Sequence, residues 1–379
     1  MSLTVTAIVP TYNRADLIAE TLDTLLEQTR RPDEILVVND GSSDGTSDVV
    51  RSYEPRLRQI EKPNGGKASA LNLALSQARG ELIWICDDDD LLLPGTCEKL
   101  AGLLEAEAAL DFVCGQHEDF TVDRHTGEKH LKPPGFRRAS APDEIFFDLL
   151  DGCHIFQPAL MVRRQLYDRL GPFREDLVRS QDYEMMLRIA RGGTGRLLDE
   201  TVYLHREHTG ARGSGQDRFS ATEAFAKWIR YDRMIFEPLL ADLEPRELLP
   251  ASYWNDPARG AERERTAALK RASVRARHQM WPEALGDWQE IAGRYEGPMN
   301  DFERLITRRA TLHMFGCDPL FEDRSLRDAV RQVGSASPLG RAIANELARS
   351  VAWQARKAAQ AGRFARAIAI ARFIAAARF

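Results

Sequence analysis

The sequence predicts an α/β domain with a mostly parallel sheet flanked by helices, followed by an all-α region. Four short apolar runs each end in a polar cluster, and apolar residues at helical spacing follow the first three; the runs lie at residues 4–9, 35–38, 57–60 and 82–86. Strands that alternate with helices form a parallel sheet, whose ligands bind at the carboxyl ends of the strands. Further along, the pattern becomes helical and rich in Ala, Arg, Leu and Trp. We therefore predict an α/β domain over residues 1–215 and a helical region over residues 216–379.

Composition and charge exclude several classes of protein. The chain has 379 residues, of which 43% are hydrophobic and 29% charged, and its formal net charge is −5, so the basic surface of a nucleic-acid binder is not expected. The five cysteines include no Cys-x-x-Cys pair, which indicates reduced thiols in the cytoplasm. No apolar run approaches the roughly 18 residues of a membrane span. Peripheral contact with the inner face of a membrane stays open, because the final segment 363–379 is rich in arginine.

An acidic run follows the fourth predicted strand, and the other polar clusters follow the strands that are expected to lie beside it. Four consecutive acids, Asp87 to Asp90, stand between the apolar run 82–86 and the apolar anchor Leu91–Leu93. Two carboxylates about 4 Å apart repel by ~1 kcal/mol in water and by about 4 kcal/mol at an effective dielectric of 20. A fixed cluster of this kind requires a metal ion or shared protons. A solvated charge run, or an acidic turn that caps the next helix, is the plainer interpretation.

The second half of the α/β domain adds one further acid at a helix start. The pattern predicts a strand near 109–116 and a hairpin turn near 120–128. A helix then begins at Ser180–Gln181 with Asp182 in its first turn, where the helix dipole alone stabilises an acid by roughly 0.3 to 1 kcal/mol. The last predicted strand, 196–204, leads into His205 and His208.

In this order, the clusters resemble the family 2 glycosyltransferases, which have the Rossmann-like GT-A fold of nucleotide-diphospho-sugar transferases. The resemblance covers roughly residues 3 to 210. It rests on Val9–Arg14, Val38–Ser42, Asn64–Lys67 with Ala70 and Asn72, the acidic run with Pro94–Gly95, Gly171–Phe173, and Gln181–Asp182. Two positions depart from the family pattern: Asn39 precedes Asp40 where two acids are common, and Gln181 stands where many members have Glu.

The resemblance implies a nucleotide-sugar donor, with a uridine diphosphate sugar favoured. Asp40 would accept from a ring N–H of the base, and Lys67 would contact phosphate. The full set of implied donor-binding residues is Pro10, Thr11, Tyr12, Asn13, Arg14, Asp40, Gly66, Lys67, Asn72, Asp87 and Asp88. Read singly, Asp40–Gly41 is also an ordinary turn and Asn13 an ordinary helix cap.

The resemblance also implies a divalent cation, Mn²⁺ or Mg²⁺, that neutralises the leaving diphosphate. Asp89 is the expected direct ligand, with Asp87 also in the metal site, and the register of the acidic run stays open by one residue. The family's terminal Arg-x-His pattern implies that His208 completes the metal site. His205 is the competing candidate.

Asp182 is the implied general base, because inverting sugar transfer needs a group that takes the proton of the acceptor hydroxyl. The implied activity is metal-dependent, inverting and non-processive transfer of a sugar to a hydroxyl of a glycan or other acceptor, in surface polysaccharide or glycoconjugate synthesis. A sugar-nucleotide pyrophosphorylase is disfavoured, because the segment 10–13 is not a glycine-rich phosphate loop. The remaining alternative is an inactive nucleotide-sugar fold whose helical region, with hairpin-like or tetratricopeptide-like segments near 281–288 and 362–368, acts as an interaction module.

Overall fold

The computed structural model describes residues 2–123, 125–133, 140–207 and 221–378, without the side chains of 221–225. The chain divides into two compact units, the first formed by residues 1–149 and 153–224 and the second by residues 150–152 and 225–379. An α/β part is thus followed by a helical part, as the sequence predicts. The predicted boundary between residues 215 and 216 lies outside the described residues and stays a prediction.

The described residues of the first unit form one nine-stranded sheet with the order β3-β2-β1-β4-β8-β6-β9-β5, and β7 pairs with β6. The strands are β1 Val5–Thr11, β2 Glu34–Asn39, β3 Arg58–Glu61, β4 Leu82–Ile85, β5 Leu91–Leu92, β6 Phe112–Val122, β7 Lys129–Leu131, β8 Leu160–Arg163 and β9 Gly195–Arg206. The predicted parallel arrangement is found among β1 to β4 and between β6 and β9. Strands β5, β7 and β8 run antiparallel to their neighbours, so the sheet as a whole is mixed.

Helices cover this sheet because each turns an apolar stripe toward it. In α1, for example, Ile18, Leu22 and Leu25 are fully buried, and the residues of β1 are buried on both faces of the strand. The helices of the first unit are α1 Ile18–Leu26, α2 Thr46–Arg51, α3 Lys67–Gln77, α4 Thr96–Ala106, α5 Ile145–Leu149, α6 Arg164–Leu170 and α7 Gln181–Gly192.

The register of the parallel strands brings the polar clusters to one edge of the sheet. Thr11 at the end of β1 lies beside Asn39 at the end of β2, and Ile8 in β1 lies beside Ile85 at the end of β4. Because parallel strands end on the same side, the loops that follow β1, β2, β3 and β4 are neighbours. This edge carries the candidate active site.

The second unit is helical, and among its described residues none joins the sheet. Its helices follow α8 Ala221–Asp242, which spans the division between the units; they are α9 Ala251–Trp254, α10 Arg263–Arg277, α11 Trp281–Arg294, α12 Asp301–Arg309, α13 Asp318–Glu322, α14 Arg324–Ala336, α15 Pro338–Gln360 and α16 Phe364–Ala377. Consecutive helices α10 and α11, and likewise α15 and α16, pack against each other. In the part of the chain that the structure describes, no helix combines the length and the apolar character needed to span a bilayer.

Candidate active site

The acidic loop is the segment Asp87–Asp90, and its four carboxylates fall into two classes. The first three are partly exposed, whereas Asp90 is 1% exposed. The Asp90 carboxylate accepts a hydrogen bond of 2.8 Å from the backbone N–H of Arg206, and the Asp90 carbonyl accepts one of 2.8 Å from the Thr21 hydroxyl. Burial, followed by the charges of the neighbouring acids, raises the pKa of Asp90 well above its usual value. Asp90 therefore anchors the loop, and the three acids before it remain accessible to a ligand.

Two basic side chains from neighbouring elements lie against the accessible acids. Arg14, which follows β1, places Nε 3.4 Å from Asp88 Oδ1 and Nη2 3.5 Å from Asp89 Oδ2. Lys67, the first residue of α3, places Nζ 2.5 Å from Asp87 Oδ1. Both bases belong to the donor-binding set that the resemblance implies. In this structure their positive charges hold the acidic loop together.

Lys67 also connects the acidic loop to the predicted general base. Burial lowers the pKa of the Lys67 amine, but the charge of Asp87, followed by that of Asp182, outweighs burial and raises this pKa above its usual value. Asp182 thus lies within electrostatic reach of the ammonium group that binds Asp87. The fold brings together two acidic sites that lie far apart in the sequence.

The raised pKa of Asp88 bears on whether a divalent cation fits the acidic loop, because it reports how far the charges there are balanced. Burial, followed by the negative charge of Asp89, raises the pKa of Asp88 to about 7, even though the charge of Arg14 opposes the shift. The nearby bases therefore leave the negative charge of the loop only partly balanced. Carboxylate oxygens are the ligands that Mg²⁺ and Mn²⁺ prefer. The donor set and its excess negative charge both fit such an ion.

Arg206 holds the acidic loop from the opposite side, a role that the sequence analysis missed. Its side chain is 4% exposed, and its guanidinium donates from Nε to the Asp89 carbonyl at 2.7 Å and from Nη2 to Glu20 Oε2 at 2.7 Å. The same guanidinium lies over the Phe120 ring, 4.7 Å from its centroid. The Arg-x-His pattern includes this position, but a hydrogen bond to the carbonyl of a residue far away in the sequence cannot be predicted from that pattern.

The carboxylate of Asp40, the predicted base-binding residue, accepts hydrogen bonds from other residues of the same chain. The residue is 3% exposed, and its carboxylate accepts from Lys62 Nζ at 2.5 Å, Asn64 Nδ2 at 3.1 Å, and the backbone N–H groups of Gly65 and Gly66 at 3.0 and 2.7 Å. These four donors fix the turn that leads into α3. Base recognition by Asp40 stays a prediction, because the structure shows this carboxylate organising the turn that carries Lys67.

The loops after β1 and β2 are joined through Asn13. Its backbone N–H donates to the Ser42 hydroxyl at 2.9 Å, and its side-chain oxygen accepts from the Ser43 N–H at 2.8 Å. Asn13 adopts a left-handed conformation with φ 53°, which asparagine tolerates better than most residues. Before it, Pro10 and Thr11 are buried at the end of β1, and Tyr12 is partly exposed beyond them.

Asp182 lies in the first turn of α7, behind a strained residue. Ser180, immediately before the helix, has φ 58°, and such non-glycine strain costs of order 1 to 3 kcal/mol. The partly exposed Asp182 carboxylate accepts from the N–H of Tyr183 at 2.8 Å. It borders a crevice that Ile85, the last residue of β4, and Gln157 also line. The geometry therefore places Asp182 beside the strand that delivers the acidic loop.

Asn72 and His208 are two further residues that the resemblance assigns to the site. Asn72, assigned to the donor by resemblance, donates to the Phe173 carbonyl at 3.0 Å and accepts from the Phe173 N–H at 2.8 Å, so it ties α3 to the loop before α7. Its donor-binding role stays a prediction. His208 lies outside the described residues. The competing His205 lies in β9, where its Nδ1 is 2.8 Å from Asp119 Oδ1.

Comparisons with known proteins identify the first unit. The family model described as Glycosyl transferase family 2 matches residues 6–171. The uncharacterized glycosyltransferase YwdF of Bacillus subtilis is 32% identical over 192 residues, which are 49% of this chain and 68% of YwdF. The uncharacterized glycosyltransferase RT0329 of Rickettsia typhi is 29% identical over 211 residues, or 54% of this chain and 64% of that protein. The chain spans 40 to 64% of the length of four Rickettsia relatives.

A solved structure shares the fold. The crystal structure of S. aureus TarS has a TM-score of 0.53 and 17% identity to this chain, over 90% of this chain and 55% of TarS. The TarS segment 1–349 in complex with UDP-GlcNAc gives a TM-score of 0.51 and 19% identity, over 90% of both chains. This likeness confirms the predicted GT-A architecture.

We predict that Asp40→Asn lowers the free energy of unfolding of the nucleotide-free protein by about 2 to 3 kcal/mol, because the amide would turn an N–H₂ group toward donors that now meet a carboxylate. Urea unfolding followed by circular dichroism measures the change. The control is Asp48→Asn, since Asp48 is exposed and forms an ion pair with the exposed Arg51. Equal stability of Asp40→Asn and the control would show that Asp40 does not organise the turn.

Proposed function

Because this chain belongs to glycosyl transferase family 2, we propose that it transfers a sugar from a nucleotide-diphosphate sugar to a hydroxyl of an acceptor, with inversion at the anomeric carbon. The observation that carries the proposal is the position of Lys67, which contacts Asp87 in the acidic loop and lies within electrostatic reach of Asp182. A site for the leaving diphosphate and a base for the acceptor would then face the same reaction centre.

The donor would bind along the loops that follow β1, β2 and β3. The N-terminus of α3 offers Lys67 and the helix dipole to phosphate, and Arg14 adds a second positive charge. TarS 1–349 has been crystallised with UDP and with UDP-GlcNAc, which makes a uridine nucleotide the first ligand to test. A base contact by Asp40 would have to replace one of the four donors that this carboxylate now accepts.

A divalent cation would be held by the carboxylates of Asp87, Asp88 and Asp89, together with His208, which the family pattern implies. When bound, such an ion neutralises charge that develops on the leaving diphosphate. Asp90 and Arg206 would keep the loop in place, because both are buried and bonded to neighbouring elements. The ion itself, Mn²⁺ or Mg²⁺, follows from the preference of carboxylate oxygen and not from a contact in this structure.

Asp182 would act as the general base. Its partly exposed carboxylate would accept the proton of the acceptor hydroxyl as that oxygen attacks the anomeric carbon opposite the leaving diphosphate. Gln181, which replaces the more common Glu of the family pattern, is buried and leaves this carboxylate as the accessible one. The acceptor would be a glycan or another hydroxyl compound, in surface polysaccharide or glycoconjugate synthesis. An inactive interaction module is the alternative; release of nucleotide from a donor panel distinguishes the two.

The second unit suggests where the enzyme would work. Residues 347–379 contain seven Arg or Lys residues and no acid, although the whole chain is acidic. On α15 and α16, the large apolar side chains of Trp353, Phe364 and Ile368 are more than half exposed among these bases. Basic and interfacial apolar groups together favour anionic lipid surfaces. We therefore propose peripheral membrane contact, and a cytoplasmic location remains our prediction, supported by five cysteines that form no disulfide in the described part of the chain.

We predict that Asp89→Ala abolishes Mn²⁺-dependent nucleotide binding and leaves the metal-free protein as stable or more stable, because one of several repelling carboxylates is removed. Isothermal titration with UDP, with and without Mn²⁺, measures the first effect, and thermal unfolding in chelator measures the second. Asp48→Ala is the matched surface control. Wild-type turnover of Asp89→Ala at saturating Mn²⁺ would refute the assignment.

We predict that Asp182→Asn retains donor and Mn²⁺ affinity but lowers sugar transfer by roughly 10²-fold or more, which is the usual contribution of a positioned general base. Titration of donor measures binding, and single-turnover transfer measures chemistry. The anomeric configuration of the product, read by NMR, is an independent check. Retention of configuration, or normal transfer by Asp182→Asn, would contradict the mechanism.

We predict that the full chain sediments with vesicles containing phosphatidylglycerol but not with vesicles of phosphatidylcholine alone. Replacing Arg356, Lys357 and Arg363 by Gln should weaken the binding by roughly 10²-fold, since each base near an anionic surface contributes about 1 kcal/mol. The control replaces three exposed bases outside this region, Arg51, Lys129 and Lys132. Equal sedimentation with both kinds of vesicle, or equal loss in both triple variants, would argue against an electrostatic membrane surface on α15 and α16.

A further inference from the structure

A second group of potential metal ligands lies on β6 and β9 and includes none of the acids of the acidic loop. These strands are parallel neighbours, with Asp119 opposite His205 and His117 opposite Tyr203. His205 Nδ1 is 2.8 Å from Asp119 Oδ1, and His117 Nε2 is 3.8 Å from the same oxygen. One ligand atom from each of the three residues lies within 4.8 Å of the others. Two imidazoles and a carboxylate therefore converge on one point.

Aromatic rings enclose this His-Asp-His cluster, which we define as His117, Asp119 and His205. The Phe156 ring packs edge-on against His117 at 4.6 Å and is stacked with His205 at 6.2 Å between centroids. Tyr203 lies 5.6 Å from His117. The three potential ligands are themselves only partly exposed. An apolar shell of this kind fixes ring orientation and limits access of water, as it does around protein metal sites.

We propose that the His-Asp-His cluster binds one divalent transition-metal ion of borderline softness, such as Zn²⁺, at a site distinct from the acidic loop. Two nitrogens and one oxygen suit Zn²⁺, Co²⁺ or Ni²⁺, whereas the all-oxygen acidic loop suits Mg²⁺ or Mn²⁺.

The distances are compatible with binding after a small closure. Zinc bonds of about 2.0 to 2.1 Å in a tetrahedron put neighbouring ligand atoms about 3.3 Å apart, so the widest separation has to shrink by roughly 1.5 Å. Rotation of the partly exposed side chains supplies a movement of that size. Three protein ligands leave a fourth position for water or another small ligand. The bound ion would link β6 to β9, and its binding does not depend on the proposed sugar transfer.

Co²⁺ is the probe, because tetrahedral cobalt has a visible absorption that octahedral cobalt in water largely lacks. The untagged full chain, freed of metal and without nucleotide, is titrated with Co²⁺ near neutral pH. We expect one equivalent to give the visible band, Zn²⁺ to abolish it, and Mg²⁺ to leave it unchanged. His117→Gln, Asp119→Asn and His205→Gln should each weaken Co²⁺ binding by about tenfold or more.

Two controls separate this site from its alternatives. His125→Gln changes an exposed histidine in the turn between β6 and β7 and should leave the band unchanged. Asp89→Ala should also leave it unchanged, although it removes the proposed ion of the acidic loop. Loss of the band in Asp89→Ala but not in His205→Gln would overturn the proposal, and so would equal Co²⁺ affinity in wild type and His117→Gln. Circular dichroism confirms that each variant is folded, and Asp119→Asn, which is isosteric, repeats the test if a histidine variant unfolds.

Discussion

The structure of the active-site edge depends on holding like charges together at the end of β4. Four consecutive carboxylates would repel one another, and the fold resolves this by treating them unequally. Asp90 is buried and bonded to the backbone of β9, whereas the other three meet Arg14 and Lys67 at their exposed side. Arg206 completes the arrangement from β9 by binding the Asp89 carbonyl. Each neighbouring element thus contributes at least one contact, so the loops after β1 and β3 and the strand β9 are all positioned by their contacts with these four acids.

Strained backbone conformations occur next to predicted residues of the candidate site. The described residues include three non-glycine residues with positive φ, and two of them, Asn13 and Ser180, stand next to predicted site residues. Asn13 is stabilised by its hydrogen bonds to the loop after β2, and Ser180 turns the chain so that α7 starts at Gln181. Such conformations persist only where surrounding contacts impose them. Their positions indicate that the loop after β1 and the start of α7 are held in specific orientations.

Local pattern in the sequence predicted most of the strands and helices of the first unit, because apolar runs and polar strand ends are local signals. Strands β5 and β8 were missed. The two residues of β5 show no periodicity, and the four residues of β8 are defined by antiparallel pairing with the distant strand β4. The acidic loop was located, but only burial distinguishes Asp90 from the acids before it. The hydrogen bonds that the Asp40 carboxylate accepts could not be predicted either, because Lys62 and the two glycine N–H groups approach it only in the folded turn.

The charges of the candidate site suggest how metal and donor would bind. Asp87, Asp88, Asp89 and Asp182 face Arg14 and Lys67, so the unbound site carries an excess of negative charge, reduced in part by the raised pKa of Asp88. A diphosphate entering such a site alone is repelled, and the phosphate-facing bases are engaged with the acids. If the acidic loop binds a divalent cation, as proposed, the excess is removed and Arg14 and Lys67 become available to phosphate. Metal and donor should then strengthen each other's binding by the same factor, because linkage is reciprocal. The bases that stabilise the acidic loop in this structure would therefore be the same groups that hold the donor.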